Sequence, residues 1–214
     1  MSLFRLDTSI RGAASRTSAL ADLVEQEWRA ESVDDAVVRR HIGETPLPPI
    51  AWSAAVGAHW APEDQWTPEQ REAAALATSL VDELVAADVL IIAAPLYNYG
   101  VSQHLKTWVD VITTDPRMRA GILAGKPAVL LTARGGVYGP GMAREGWDHA
   151  TGWMRQIFGD VWQLELTVVE EEMAYVGINP AFDKYKEDAE RVRAEAAAQA
   201  KAAGRALASL TIVA

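Results

Sequence analysis

Asp88 to Ser102 reads DVLIIAAPLYNYGVS, and the fold can be read outward from this stretch. Val89-Leu90-Ile91-Ile92-Ala93-Ala94 is an unbroken apolar run with no polar alternation. Such a run suits a strand covered on both faces, as in the middle of a parallel sheet. Pro95 then interrupts strand pairing, because it has no N–H to donate and its φ is fixed. Leu96-Tyr97-Asn98-Tyr99-Gly100 follows as an aromatic turn, and Ser102 is placed to cap the next helix. A buried parallel strand that ends in a loop and a helix start puts that loop at the carboxyl edge of the sheet, where open α/β sheets bind ligands. Tyr97 and Tyr99 could instead be packing residues beside a turn.

On the N-terminal side, Leu3–Asp7 suits a short first strand. Thr8–Thr17, TSIRGAASRT, is a hydroxyl-rich turn, and Ser18–Ala30 has Leu20, Leu23, Val24 and Trp28 on one helical face. A strand, a hydroxyl-rich turn and a helix N-terminus together form an anion site, since unpaired helix N–H groups and the helix dipole attract a phosphate. A plain capped turn would look the same. As surface-turn hydroxyls, these groups are expected to add little to folding. Ala36–His41 suits a second strand, and residues 43–66 form a long segment rich in Pro and Trp without a clear period. Thr67-Pro68-Glu69-Gln70 is a strong helix start, with the helix expected to run to Ala86.

On the C-terminal side a helix is expected over Ser102–Thr113 and a fully apolar strand over Pro127–Thr132. Ala133-Arg134-Gly135-Gly136-Val137-Tyr138 comes next, and its glycine pair lets the backbone approach a flat ligand closely. A structural Gly-Gly turn is the simpler alternative. A helix over Ala143–Phe158 with Trp147, Ala150, Met154 and Ile157 inward, a strand over Gln163–Val169, and a solvated outer helix from Asn179-Pro180 to about Leu207 complete the chain. Five alternations of strand and helix predict an α/β doubly wound parallel sheet in a single domain spanning residues 1–214.

Composition narrows the function. The net charge of −9 argues against a general nucleic-acid surface, and with no cysteine there is neither a disulfide nor a thiolate metal site. His41, His59, His104 and His149 lack metal-ligand spacing, so no metal is expected. Gly100-Val101-Ser102-Gln103-His104 fails the last position of a nucleophile elbow. The Gly135, Gly139, Gly141 spacing is wrong for a dinucleotide fingerprint. The N-terminus lacks the apolar core of a signal peptide and no run is long enough to span a bilayer, so a cytoplasmic protein is expected.

The run APLYNYGVSQHLKTWVD resembles the flavin-loop motif of FMN-dependent NADH:quinone oxidoreductases, the azoreductase family, with Leu105, Lys106, Trp108 and Asp110 on the helix that follows it. Ser9, Ser15 and Thr17 match that family's phosphate pattern, S-x₅-S-x-[S/T], and Ala133–Gly136 resembles its second flavin loop. The resemblance implies a flavodoxin-like sheet of order 2-1-3-4-5. It implies FMN held through its phosphate by Ser9, Ser15, Arg16 and Thr17, and through its ring by Leu96, Tyr97, Asn98, Tyr99, Ala133, Arg134, Gly135 and Gly136. Asn98 and Tyr138 would orient and tune the flavin. NADH or NADPH would be the co-substrate, a quinone or azo compound the acceptor, and two electrons would pass in ping-pong fashion as hydride through flavin N5. A homodimer is implied as well.

One segment departs from the family. The aromatic stretch that normally precedes Gly121-Ile122-Leu123-Ala124-Gly125-Lys126 is cut to Asp115–Arg119. That puts the usual substrate pocket in doubt. Trp52 and Trp60, with Met118, are the nearest replacements for a lid, unless the two tryptophans merely pin their segment to the body. Two rival functions stay open. One is a one-electron flavodoxin-type carrier. The other is a biosynthetic relative acting on a polycyclic aromatic substrate, without redox chemistry in one version.

Overall fold

The computed structural model describes residues 1–31 and 35–210. Five parallel strands form one sheet in the order β2-β1-β3-β4-β5: β1 Ser2–Asp7, β2 Ala36–His41, β3 Val89–Ala93, β4 Pro127–Ala133 and β5 Glu165–Glu171. Helices α1 Arg16–Glu31, α3 Pro68–Ala86, α4 Gln103–Ile112 and α7 Lys186–Ala208 supply most of the covering layers. The expected architecture and strand order are therefore found.

The apolar run of β3 is explained by its two faces. Leu90 and Ile92 join Phe4, Leu6 and Leu130 under α3 and α4, where Leu80, Leu84 and Trp108 are fully buried. Val89 and Ile91 join Leu3, Val129 and Leu131 under α1 and α7, against Leu20, Val24 and Trp28. Side chains alternate between faces at period two, so only a strand buried on both sides needs every position apolar. Removing either fully buried tryptophan to alanine would cost about 3–5 kcal/mol.

Thr67 and Gln70 form the expected capping box, and the Ser102 side chain accepts from the Leu105 amide at 3.1 Å. Four other expectations need correction. First, residues 43–66 are not without order: α2, Ala51–Trp60, buries Ala51, Ala54, Ala55 and Ala58 at helical spacing. The stripe is made only of alanine, so its hydrophobic contrast is weak. Second, no helix starts at Ala143. Asp148 accepts from the amides of Ala150 and Thr151, both at 2.9 Å, and the helix begins there as α6, Thr151–Met154, continuing as a π-helical stretch over Arg155–Val161. Trp147 is left half exposed instead of inward.

Third, the last strand lies two residues later than expected. Gln163 has φ of 56°, outside the strand region, so pairing with β4 begins at Glu165. Fourth, α7 is not simply solvated. It starts at Lys186 after a 3₁₀ turn over Pro180–Tyr185, and it buries Ala189, Ala196, Ala200, Ala203 and Leu207. At Gly204 a Cβ would lie 2.4 Å from the Val24 carbonyl oxygen, so glycine there permits the close approach of α7 to α1.

Candidate functional site

Parallel pairing brings three loops to one edge. Asp7 lies beside Ala93 in the sheet, and Ala93 beside Leu131. The pairing also persists past the strand ends. Thr8 donates to the Ala93 carbonyl (3.0 Å), Ala94 to Leu131 (2.9 Å), Leu96 to Ala133 (3.0 Å) and Arg134 to Glu171 (2.8 Å). Pro95 thus occupies a position where no donor is needed, and the backbone at the site is a continuation of the sheet.

The turn after β1 carries the hydroxyls. Ser9, Ser15 and Thr17 are all buried, which corrects the expectation of surface hydroxyls that add little to folding. Ser9 Oγ is 3.0 Å from the Tyr97 hydroxyl, and Ser15 Oγ is 3.0 Å from Thr17 Oγ1. Ser15 Oγ also accepts from the Ser18 amide at 3.2 Å, so it caps α1. The first helical bond joins the Ala19 amide to the Ser15 carbonyl at 3.1 Å, which leaves the amides of Arg16 and Thr17 ahead of the ladder.

Arg16 opens that helix with a buried counter-ion the sequence did not reveal. Its Nε and one terminal nitrogen donate to Glu171 at 2.7 and 2.8 Å, and the Glu171 side chain is fully buried. This pair raises the Arg16 pKa above its ordinary value, the Glu171 bonds outweighing burial. Glu171 closes β5, and nothing in its local pattern distinguishes it from its neighbours Glu170 and Glu172.

The turn after β3 is tight and strained. Tyr97 and Gly100 exchange backbone hydrogen bonds of 2.9 Å in both directions, with Asn98 and Tyr99 at φ of 48° and 67° between them. Two successive positive φ values are those of a type I′ turn, a geometry Asn tolerates and Tyr resists. Such strain recurs at ligand sites. The His149 amide holds the Tyr99 carbonyl at 3.0 Å. Around Tyr99 stand Trp147 and Tyr138, edge-on at centroid distances of 5.3 and 6.4 Å, and the Arg144 guanidinium 6.0 Å from the ring centre.

The turn after β4 is braced from outside. The Arg134 side chain points to carboxylates, 2.5 Å from Glu170, 2.9 Å from Asp148 and 3.5 Å from Glu172. Those acids raise its pKa against the burial that opposes the charge. Arg134 therefore contributes backbone, not guanidinium, to the loop. Gly135 is overlaid by Tyr175: a Cβ there would come within 2.3 Å of the ring. Tyr138 donates its amide to Glu172 at 2.9 Å.

Two small cavities result. One, of about 170 Å³, touches Ser9, Ser15, Arg16, Leu96, Tyr97 and Ala133. Its neighbour, about 160 Å³, touches Asn98, Tyr99, Tyr138 and Arg144. They share Leu96, Gly135 and Tyr175, and together reach the lower end of ordinary ligand sites, roughly 300–1,000 Å³. Residues expected from three distant stretches thus come together, Gly136 lying just behind them beside Arg144. Sequence reading missed Glu171, Arg144 and Tyr175, and assigned Trp147 to a helix core. The residues proposed as a lid do not join this site within the chain. Trp52 and Trp60 line a separate groove of about 350 Å³ with Lys106 and Trp153, and Met118 is buried in the core. The short 115–119 segment is α5, Pro116–Arg119, tied down by Arg117 to Asp82 at 2.6 Å and Asp115 at 2.8 Å.

Comparison with known proteins bears on the fold and the family. A family model described as a flavodoxin-like fold matches residues 1–203. The FMN-dependent NADH:quinone oxidoreductase of Frankia casuarinae is 32% identical over 204 residues, covering 93% of this chain and 96% of that protein. The enzyme of the same description from Frankia alni is 34% identical over 208 residues, covering 94% and 98%. Among solved structures, an azoreductase from Bacillus anthracis superposes with a TM-score of 0.79 at 18% identity over 96% of this chain and 99% of that one. At this identity the superposition speaks for the fold alone.

Proposed function

This chain belongs to the FMN-dependent NADH:quinone oxidoreductases of flavodoxin-like fold, and from that premise we propose that it binds FMN at the edge of β1, β3 and β4 and reduces quinones or azo compounds with NADH. The observation that carries the reading is the convergence of the three loops on two cavities joined at Leu96, Gly135 and Tyr175. The donor set fits a phosphate monoester: three buried hydroxyls, two free amides at a helix start, and Arg16. The second cavity is bordered by the rings of Tyr99, Tyr138 and Tyr175, the last lying over Gly135, surfaces that suit a flat heteroaromatic ring.

When bound, FMN would supply the chemistry itself, a ping-pong transfer of two electrons from NADH to the acceptor through flavin N5. The chain's own residues bind and orient. Ser9, Ser15, Arg16 and Thr17 would hold the phosphate. Leu96–Tyr99 and Ala133–Gly136 would frame the ring, with Asn98 held rigidly by its turn and Tyr138 at the rim. The hydrogen bond between the Tyr97 and Ser9 hydroxyls ties the ring loop to the phosphate turn, so the two ends of the site are set relative to each other. A purified protein showing flavin absorption bands near ~370 and ~450 nm, or acquiring them on titration with FMN, is the expected result. A protein that takes up no FMN would defeat this function while leaving the fold intact. We further propose a homodimer, in which the exposed apolar faces of Trp52 and Trp60 meet a second copy.

A further inference from the structure

The largest of the cavities described here belongs to neither half of the proposed FMN site. It measures about 580 Å³ and is walled by Met142, Met173, Val176, Phe182 and Tyr185, with Arg144 at one end. It shares Gly135 and Arg144 with the ring cavity, so the two adjoin through the second loop. Its volume lies within the range of small-molecule sites, which are apolar with a few placed polar groups.

Two features mark this cavity as more than a packing gap. Met173 lines it at φ of 58°, a conformation an unbranched non-glycine residue adopts at a cost, with its amide donating to the Gly136 carbonyl at 3.1 Å. The charges on its rim are unequal. One carboxylate, Asp188, lines the cavity, and it is paired with Arg191 (3.5 Å), which also meets Glu195 (3.1 Å). Arg144 has no carboxylate partner among the described residues. It lies against Gly136, where a Cβ would come 2.9 Å from its terminal nitrogen, and over the Tyr99 ring. In a chain of net charge −9, this is a local excess of positive charge at the junction of two cavities.

We propose that this cavity is the acceptor subsite and that it selects flat aromatic compounds carrying an anionic group, a sulfonate or a carboxylate. The fused ring would lie among the methionine, phenylalanine and tyrosine side chains, where sulfur and ring faces accept planar surfaces of varied shape. The anion would meet Arg144, which is half-buried and uncompensated, so the contact is a charge-assisted hydrogen bond in a partly desolvated place. The assignment of the bound compound as an electron acceptor rests on the proposed oxidoreductase function. The assignment of the cavity and its charge preference does not.

The test is calorimetric binding of naphthalene-2-sulfonate and of the neutral naphthalene-2-sulfonamide to the FMN-loaded protein and to the FMN-free protein. The sulfonate should bind more tightly by roughly ten- to a hundred-fold, the span of one charge-assisted hydrogen bond. Arg144→Met should abolish that preference, Arg144→Lys should keep part of it, and Arg191→Met should leave most of it. Val176→Trp, which fills the cavity, should weaken both compounds equally. Equal binding of the two compounds to the unmodified protein, or a preference that survives Arg144→Met, would overturn the proposal. Displacement of the sulfonate by ADP-ribose would also overturn it, by giving the cavity to the nucleotide co-substrate. A protein that binds no FMN yet shows the Arg144-dependent preference would sink the oxidoreductase reading and leave the site standing.

Discussion

Replacing Ser15 and Thr17 together by alanine separates what the turn after β1 does for folding from the phosphate binding proposed for it. Ser15 Oγ caps α1 through the Ser18 amide at 3.2 Å, and removing a cap costs about 1 kcal/mol. Thr17 is fully buried, and losing its methyl group costs about 0.8 kcal/mol more. The 3.0 Å bond between the two hydroxyls vanishes with both partners, so it strands no donor. The FMN-free protein should therefore lose roughly 2 kcal/mol. Each hydroxyl bond to a charged phosphate is worth about 1.5–3 kcal/mol, and the lower end applies because the hydroxyls already satisfy one another without ligand. Two such bonds amount to roughly 3 kcal/mol, or a Kd about 150-fold weaker. Urea unfolding with and without FMN reads both effects. At free FMN of 100 times the original Kd the parent protein should gain about 2.7 kcal/mol, and the double variant only about 0.3. An equal gain from FMN in both proteins would refute the placement of the phosphate, whatever happened to the stability.

Glu171→Gln should act in opposite directions on folding and binding. The change removes a buried charge from a bidentate pair while Arg16 keeps a third of its side chain in solvent, so the FMN-free protein should lose about 1–3 kcal/mol. FMN should bind more tightly, because Arg16 is then uncompensated; weaker FMN binding measured by flavin fluorescence would contradict this. Gly135→Ala places a Cβ 2.3 Å from the Tyr175 ring, which is half exposed and can swing aside. Stability should fall by only about 1 kcal/mol, while FMN affinity should drop at least ten-fold, since that ring borders both cavities. Unaltered affinity would mean that the ring does not frame the ligand. Light scattering at micromolar protein should return the mass of two chains, and a single-chain mass would rule out the dimer.

The central strands were legible because they obey one rule with no competitor. A strand buried on both faces favours apolar residues throughout. β3 is apolar at every position and β4 at all but the buried Thr132, whereas β1, equally buried, hides its place in the sheet by burying Arg5 and Asp7 as a pair 2.7 Å apart. The hydroxyl-rich turn after β1 and the Tyr-Asn-Tyr turn were legible as turns for a different reason: hydroxyls and turn residues act locally, and the strand ends on which they sit fix their place at the edge. What escaped depends on partners far away in the chain. Glu171 acquires meaning only through Arg16, 155 positions earlier. Tyr175 matters because it lies on Gly135, and Asp148 because it caps a helix whose pattern continues upstream of the true start. The alanine stripe of α7 reads as solvated until Gly204 is seen to admit α1 within contact distance.

The same distinction bears on the acceptor side of the site. The two cavities read as the FMN site draw mainly on the turns after β1, β3 and β4, whose residue types and spacing can be read locally, with Tyr175 and Arg144 added from elsewhere. The large adjoining cavity draws on the 137–147 loop and on the segment from Met173 to Arg191, where local patterns mispredict the structure. Those are the stretches in which no helix forms until Asp148 caps one, and in which Met173 takes a glycine-like conformation. A site for a common cofactor is specified by backbone and hydroxyls at strand ends. Discrimination among acceptors has to come from the loops over that edge, and here those loops line the cavity with two methionines, two aromatic rings and one uncompensated arginine. Shortening the 115–119 segment therefore need not leave the site open, because the side chains that would cover an acceptor come from the opposite end of the sheet, beyond β4.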